Sequence, residues 1–313
     1  MNMPSNAVPG ASPDAPIAPV VMVATRPFYW SVRRELWENR SIYIAPLAVA
    51  GVYLAGYLIS LFCLPQSLRA LKESHETPIL VQLAMPYSHA AMLLMLIGFI
   101  VAVFYSLDAL HGERRDRSIL FWKSLPVSDL TTVLAKASIP LVVLPALVFA
   151  ITVALQLVMR VLSVAVTAAH GAGATVENGL PLLQMQLVLL YGLIVTTLWF
   201  APIYCWMLLV SGWARRAAFL WAVLPPLALG AVERIAFRTS YFGLLMRDRL
   251  FGFAAGAFDL KDKNGVAIDP HFIPLAQLAP GRFLSSAGLW MGLVVAAILL
   301  AAAVRFRRYR EPI

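Results

Sequence analysis

The stretch ERRDRSILFWKSLPVSD, from Glu113 to Asp129, lies between two long apolar runs. Its composition indicates a structured element rather than a simple turn. Its first five residues are all charged and an apolar stripe follows, which predicts a short amphipathic helix from about Gly112 to Lys123. A connection that only reversed the chain would need few polar residues. We interpret the stretch as a surface for another protein, with a positively charged loop that docks nothing as the alternative.

Composition places the chain in a membrane. Its 313 residues are 60% hydrophobic and 13% charged, with a mean hydropathy of +0.77, whereas soluble domains carry about 25% charged residues. We interpret the net charge of +9 as a signal of membrane topology, not of nucleic-acid binding. The two cysteines, Cys63 and Cys205, lie in apolar runs and imply no disulfide.

Six segments have the composition and the roughly 20-residue length that a bilayer crossing requires. They predict an all-α integral membrane protein with spans at 41–64, 88–109, 137–160, 182–211, 216–236 and 286–304. A bend is expected in the fourth span near Pro202, and a kink or break in the fifth at Pro225-Pro226.

Lys and Arg residues cluster on one side of this arrangement. They precede the first span, occupy the loops after the second and fourth spans, and follow the sixth, so both termini are expected to be cytoplasmic. Residues 1–25 are rich in Pro, Ala and Ser and are expected to form a disordered cytoplasmic tail. Residues 26–313 then form the six-span membrane domain.

The end of the opening stretch predicts how it joins the third span. Pro126 ends the first short helix, and the Ser128 hydroxyl is placed to cap a second helix, Asp129–Lys136, that leads directly into the span. The apolar residues of the first helix are expected against the bilayer or the bundle, and its cations toward the cytoplasm: Ile119, Leu120 and Trp122 on one side, and Arg114, Arg115 and Lys123 on the other. A rigid piece joined to two spans can transmit force.

Residues 28–40 precede the first span with aromatic residues at helical spacing and charges between them. The pattern predicts an amphipathic helix in the cytoplasmic interface, with Trp30 and Trp37 toward the membrane and Arg33 and Arg34 toward lipid phosphates. An aromatic anchor at the start of the span is the simpler alternative.

The loop 237–285 is longer than a helix connection requires. It holds two apolar pieces, Tyr241–Phe258 and Phe272–Leu284, each interrupted by charged residues or prolines. Re-entrant helices, surface-lying helices on the outer side and an ordinary structured loop are all compatible with this pattern.

No catalytic constellation is visible in the sequence. It lacks a Gly-rich phosphate loop, so the chain is not expected to bind ATP, and its histidines lack the spacing of metal ligands. The centres of the spans are nearly free of charge, whereas an ion-coupled carrier usually keeps an acid near the midplane. This pattern disfavours secondary transport and an intramembrane enzyme, and favours energy supplied by another protein.

Polar and small residues within the spans are candidates for two further roles. Those that could line a path are Gln156, Gln184, Gln186, Thr196 and Thr197. Gly288 and Gly292 form a small-xxx-small pair that permits close helix packing, within the chain or at a dimer seam.

The stretch resembles the membrane subunits of ATP-binding-cassette (ABC) transporters of the type-2 permease family. Glu113-Arg114-Arg115 matches the charged start of the family's motif and Leu125-Pro126-Val127-Ser128 matches its turn, with Lys136 at the head of the third span. The family's usual Gly-Thr pair is replaced here by Arg117-Ser118. The layout is also similar: an amphipathic helix before six spans, cytoplasmic ends, and an enlarged outer loop between the last two spans.

The resemblance implies that region 113–128 is a coupling helix that sits in a cleft of a separate nucleotide-binding ATPase. The residues assigned to this contact are Glu113, Arg114, Arg115, Asp116, Arg117, Ser118, Trp122, Lys123, Leu125, Pro126 and Ser128. The partner would bind ATP and Mg, so this chain would hold no cofactor or metal and would not itself be an enzyme. Two permeases, as a homodimer or heterodimer, would surround a central path in a bacterial cytoplasmic (inner) membrane.

The function expected from this resemblance is export of an amphiphilic substrate, such as a peptide, an antibiotic or a lipid-like molecule. A secondary carrier or channel, and a membrane scaffold without transport, are the alternatives. Membrane lipid is an expected partner, and nucleic acid is not.

Overall fold

The computed structural model describes residues 27–61, 79–116, 127–168, 181–259 and 273–309. These ranges are 89% helical, and no strand is formed in them beyond an isolated antiparallel bridge between Phe258 and Leu278. The all-α prediction is therefore confirmed.

Six helical segments are long and apolar enough to cross a membrane, as the composition predicts for a multi-pass membrane protein. They are Ser41–Leu61, Ala84–Arg115, Asp129–Val166, Leu182–Trp213, Ala218–Phe237 and Ala287–Tyr309. Each overlaps one of the six spans predicted from the sequence. The second, third and sixth extend farther than predicted because polar residues at their ends continue the same helical path.

The individual helices are numbered here in chain order. They are α1 (Pro27–Glu38), α2 (Ser41–Leu61), α3 (Ile79–Asp108), α4 (His111–Arg115), α5 (Asp129–Ser138), α6 (Leu144–Ala168), α7 (Leu182–Trp213), α8 (Ala218–Val232), α9 (Tyr241–Phe251), α10 (Phe253–Ala257), α11 (Pro280–Leu284) and α12 (Ala287–Tyr309). Two π-helical turns, Ile139–Val143 and Glu233–Phe237, continue α5 into α6 and end α8.

Helix α8 is not broken at Pro225 and Pro226, so a break at that point is ruled out. Proline lacks an N–H group and leaves the carbonyl four residues earlier without its helical partner. The carbonyl of Ala222 instead accepts a hydrogen bond of 3.0 Å from Nε1 of Trp206 on α7. Side-chain donors of this kind allow a proline-containing helix to persist in an apolar environment.

The bundle is built around α7, which packs most extensively against α12 and also against α3. Helix α2 packs against α3 and α6. Gly98 of α3 permits a close approach to α6, because a Cβ at this position would lie 2.8 Å from Cγ2 of Val148. The span containing α8 lies at the periphery, with 11% of its most apolar stretch buried, so most of its surface is available to lipid or to another protein.

The two described ends of the chain lie at the same end of the bundle, because α1 and α12 both pack against α5. We call it the basic end, since Arg34, Arg114, Lys136 and Arg307 lie there. At the other end, residues 238–259 and 273–286 form the outer segment between the fifth and sixth spans. Its helix α9 begins where the sequence predicts an apolar piece, at Tyr241.

Candidate functional site

Buried charged side chains from four helices meet at the basic end. We call this group the charge cluster: Arg34 and Glu35 of α1, Glu113 of α4, Asp129 and Lys136 of α5, and Arg307 of α12. Glu35, Lys136, Arg307 and Glu113 are 1–7% exposed. Such burial of charge is rare unless the charges are paired.

Glu113 is at the centre of the cluster. Its Oε1 lies 2.8 Å from Nη2 of Arg34 and 3.2 Å from Nζ of Lys136, and its Oε2 lies 3.2 Å from Nη2 of Arg307. One carboxylate therefore receives a cation from each of three other helices. It connects the helix before the first span, the head of the third span and the end of the sixth.

Glu35 is the second buried anion of the cluster. Its Oε1 lies 2.7 Å from Nζ of Lys136 and 2.9 Å from Nη2 of Arg34. Its Oε2 accepts a hydrogen bond of 2.8 Å from Oη of Tyr105, which lies on α3. The second span is thereby joined to the same network.

The charge cluster holds three cations and three anions, and the more exposed Glu38 also pairs with Arg34, at 3.4 Å. Arg34, Lys136 and Arg307 face the carboxylates of Glu35, Glu113 and Asp129. Burial alone would lower the pKa of Arg34, but these glutamates, together with Glu38, more than offset burial and raise it. Buried ion pairs add little net stability, whereas removing one partner is costly, so the cluster mainly fixes how its helices sit together.

Local sequence explains how α5 presents two of these charges. The Ser128 hydroxyl accepts a hydrogen bond of 3.1 Å from the backbone N–H of Thr131, which confirms the predicted helix cap. Asp129 and Lys136 are seven residues apart, about two helical turns, and so share one face. Asp129 pairs with Arg307 at 2.9 Å while Lys136 reaches the two glutamates.

Arg114 clamps α4 to the end of α7. Its Nη1 donates to the carbonyl oxygens of Gly212 at 2.9 Å and Ala214 at 3.2 Å. The last carbonyls of a helix have no partner within it, so a buried guanidinium satisfies them well. The N–H of Leu110 adds a hydrogen bond of 3.3 Å to Oγ of Ser211.

The expectation that Arg114 faces the cytoplasm is therefore wrong. Arg114 is 4% exposed and Glu113 is 7% exposed, and the partners of both side chains lie inside the bundle. Arg115 and Asp116 are exposed and pair with each other at 3.1 Å. The other residues assigned to a partner contact between Glu113 and Ser128 lie outside the described residues: Arg117, Ser118, Trp122, Lys123, Leu125 and Pro126.

Helix α1 forms where the sequence predicts an amphipathic helix. Trp30 and Trp37 are 55% and 67% exposed, and the guanidinium carbon of Arg33 lies 5.3 Å and 4.8 Å from the centres of their rings. Arg34 turns the other way, into the charge cluster, and so is not on the face assigned to lipid phosphates.

The five candidates for lining a path do not share one cavity. Gln156 is 1% exposed and its Nε2 donates to the carbonyl of Tyr87 at 3.1 Å. The other four are half-buried on α7: Gln184, Gln186, Thr196 and Thr197. A cavity of about 700 Å³ between α2 and α3 is lined by other residues, among them Tyr53, Tyr57 and Leu93.

Gly288 and Gly292 both pack within the chain. A Cβ on Gly288 would lie 3.6 Å from the Trp199 ring, and a Cβ on Gly292 would overlap the guanidinium of Arg249. The predicted close packing therefore involves α12, α7 and the outer segment. A seam between two copies remains a prediction.

The importance of Glu35 and Arg307 was not apparent from the sequence. Glu35 lies among the charges of an amphipathic helix, and Arg307 lies in a basic tail. Lys136 offered one signal, because a lysine leading into an apolar span requires an acid from elsewhere in the chain.

Comparisons with protein-family models, with curated proteins and with solved structures found no match for this chain.

Proposed function

We propose that this chain is the transmembrane subunit of an ABC exporter, driven by ATP hydrolysis on a separate nucleotide-binding subunit that holds the ATP and Mg. The observation that supports this function is the three-fold pairing of Glu113. This pairing connects the start of segment 113–128 to α1 and α12, which lie near the two ends of the chain. A segment that receives force from a partner needs such connections to pass the force to the bundle.

Force applied to segment 117–126 would reach the bundle on both sides. On one side, α4 is held by Arg114 to the end of α7 and by Glu113 to α1 and α12. On the other side, α5 runs without interruption through the π-helical turn into α6. A displacement of the segment would therefore tilt several spans together rather than bend a loop.

The basic end is proposed to face the cytoplasm, with both termini there. Exposed Arg115, Arg215, Arg216 and Arg305 lie on this side, as expected for loops retained in the cytoplasm. Helix α1 would then lie in the inner interface, with Trp30 and Trp37 at headgroup level and Arg33 near lipid phosphates. A bacterial inner membrane is the proposed location.

A second permease, identical or different, is proposed to complete the transport path. The exposed apolar surface of the α8 span is available to such a partner or to lipid. An amphiphilic substrate suits the apolar walls of such an assembly better than a bare ion does.

The docking role is tested with the exposed residues of the segment, because variants of Glu113 and Arg114 would disturb the bundle itself. The tagged chain is co-expressed with a Walker-type ATPase encoded beside it, and ATPase recovery and stimulation are measured. We expect Arg115→Glu to reduce both several-fold. Arg305→Glu, the same charge reversal at an exposed position of the same end, is the control and should change neither.

Unchanged recovery and stimulation in the Arg115→Glu variant would overturn the docking role of this segment. Transport by the purified chain alone in liposomes, driven by an ion gradient without any ATPase, would favour a secondary carrier instead.

A further inference from the structure

Helices α9 and α10 of the outer segment contact α7. Nε1 of Trp199 donates to the carbonyl of Arg249 at 2.9 Å, and the rings of Phe200 and Phe253 lie 5.7 Å apart. Trp199 precedes the last residue of α7, Trp213, by fourteen positions, or about 21 Å along the helix axis. Since the hydrocarbon layer is about 30 Å thick, Arg249 lies toward its outer boundary, as does Gly288, the second residue of α12, whose carbonyl it contacts.

Three neighbours form a cradle for the Arg249 guanidinium. Its carbon atom lies 4.7 Å from the centre of the Trp199 ring, and Nη1 donates to the carbonyl of Gly288 at 3.3 Å. Nη2 occupies the space that a side chain at Gly292 would fill. Trp199 itself contacts Phe283, so the aromatic wall of the cradle is supported from behind.

The positive charge of Arg249 forms no salt bridge with the described residues, although the carboxylate of the neighbouring Asp248 attracts it from a greater distance. No carboxylate oxygen of these residues lies within 4.0 Å of the guanidinium, which leaves most of its five N–H donors available. Burial lowers the pKa of Arg249, but an arginine side chain remains protonated at neutral pH.

Two other charged residues, Arg282 of the outer segment and Glu233 at the end of the fifth span, have structural roles instead. Arg282 donates to the carbonyls of Ala255 and Phe258, which end α10. Glu233 accepts hydrogen bonds from the backbone N–H groups of Tyr241 and Phe242, which begin α9. Among the described residues, the guanidinium of Arg249 donates to one carbonyl, that of Gly288, and Arg249 is half-buried.

We infer that Arg249 binds the anionic headgroup of a lipid-like amphiphile. A guanidinium matches the oxygens of a phosphate in two parallel hydrogen bonds. Exposed Leu245 lies one turn before Arg249 on α9, and exposed Val295 lies one turn after Gly292 on α12. These apolar side chains offer contact to the acyl chain of the same ligand.

This inference deepens the proposed function, because it names the chemical class of the substrate. The step from bound ligand to transported substrate rests on the proposed export function. Binding itself does not, because it is measured on the purified chain without an ATPase. A failure to bind would leave the docking experiment with the ATPase unaffected, and a failure to dock would leave the binding result unaffected.

The test measures the thermal stability of the detergent-solubilised chain with short-chain phosphatidylglycerol, with phosphatidylcholine of the same chain length, and with inorganic phosphate. We expect phosphatidylglycerol to raise the Tm of the wild type by several degrees and to be effective at concentrations at least ten-fold lower than the other two. An equal response to phosphatidylglycerol and phosphatidylcholine, or to inorganic phosphate alone, would overturn the proposal.

Three variants test whether the headgroup binds at Arg249. Arg249→Gln should abolish the preference for phosphatidylglycerol, and Gly292→Ala should weaken it by displacing the guanidinium. Arg247→Gln removes the same charge from an exposed position of the same helix and should retain the wild-type response. Equal losses in Arg249→Gln and Arg247→Gln would overturn the site, because they would indicate only general surface attraction. If Arg249→Gln does not fold, the comparison of the three ligands with wild-type protein still decides the outcome.

Discussion

Nζ of Lys136 lies 2.7 Å from Oε1 of Glu35, and both side chains are 2% exposed. Lys136 stands at the head of the third span, whereas Glu35 belongs to the helix that precedes the first span, 101 positions earlier. A contact between two opposite charges that water barely reaches therefore joins these elements.

Replacing Lys136 with methionine should destabilise the protein strongly. The substitution keeps the volume and the apolar stem but leaves the carboxylates of Glu35 and Glu113 with one cation fewer. Removing one partner of a buried ion pair costs about 3–5 kcal/mol. Thermal unfolding of the detergent-solubilised protein should show a clearly lowered Tm.

Two further variants identify the cause of this loss. Arg115→Gln breaks an exposed ion pair with Asp116 and should leave the Tm unchanged, because surface pairs contribute little. Adding Glu35→Gln to Lys136→Met removes the excess negative charge and should recover part of the lost Tm. A wild-type Tm for Lys136→Met alone would contradict a structural role for the charge cluster.

Arg114→Gln should loosen the connection between α4 and the end of α7. The shorter side chain no longer reaches the carbonyls of Gly212 and Ala214, and a buried polar group without a partner costs about 1–3 kcal/mol. A lowered Tm is expected, with partial recovery in Arg114→Lys, which retains the charge but lacks the fork. Arg216→Gln, at an exposed position just beyond the same helix end, is the control and should behave as wild type.

The sequence was sufficient to predict the six spans and the cap at Ser128, because both depend on local patterns: about 20 apolar residues, and a hydroxyl before a helix. The inward direction of Glu113 and Arg114 could not be predicted in this way. It depends on partners such as Arg307 and Gly212, which are distant in sequence. The composition of a charged run at the end of a span is also the same whether its side chains face water or the bundle.

The packing of Arg249 was also beyond sequence analysis. The group Arg247-Asp248-Arg249 marks an interrupted apolar piece, and each of its charges was equally suited to a surface loop. The carbonyl of Gly288 and the ring of Trp199 distinguish Arg249 from its neighbours, and both come from other parts of the chain.

Gly98→Ala should destabilise the contact between α3 and α6. The added methyl group would lie 2.8 Å from Cγ2 of Val148, and overpacking of this kind costs about 1–3 kcal/mol. Val148→Ala removes the opposing atom, so the double variant should unfold at a higher temperature than the sum of the two single effects predicts. Gly51→Ala, where a methyl group meets no atom within 4 Å, should not lower the Tm. Simple additivity of Gly98→Ala and Val148→Ala would contradict the contact.

The proposed orientation predicts opposite labelling of the two ends in intact cells. In a chain with Cys63→Ser and Cys205→Ala, single cysteines are introduced at the exposed positions Arg216, at the basic end, and Arg238, in the outer segment. A membrane-impermeant maleimide should label Arg238→Cys in intact cells, because that segment is proposed to face outward. It should label Arg216→Cys only after the cells are lysed, since a loop rich in arginine is retained on the cytoplasmic side. Labelling of Arg216→Cys but not of Arg238→Cys in intact cells would invert the topology, and with it the side on which an ATPase can reach segment 113–128.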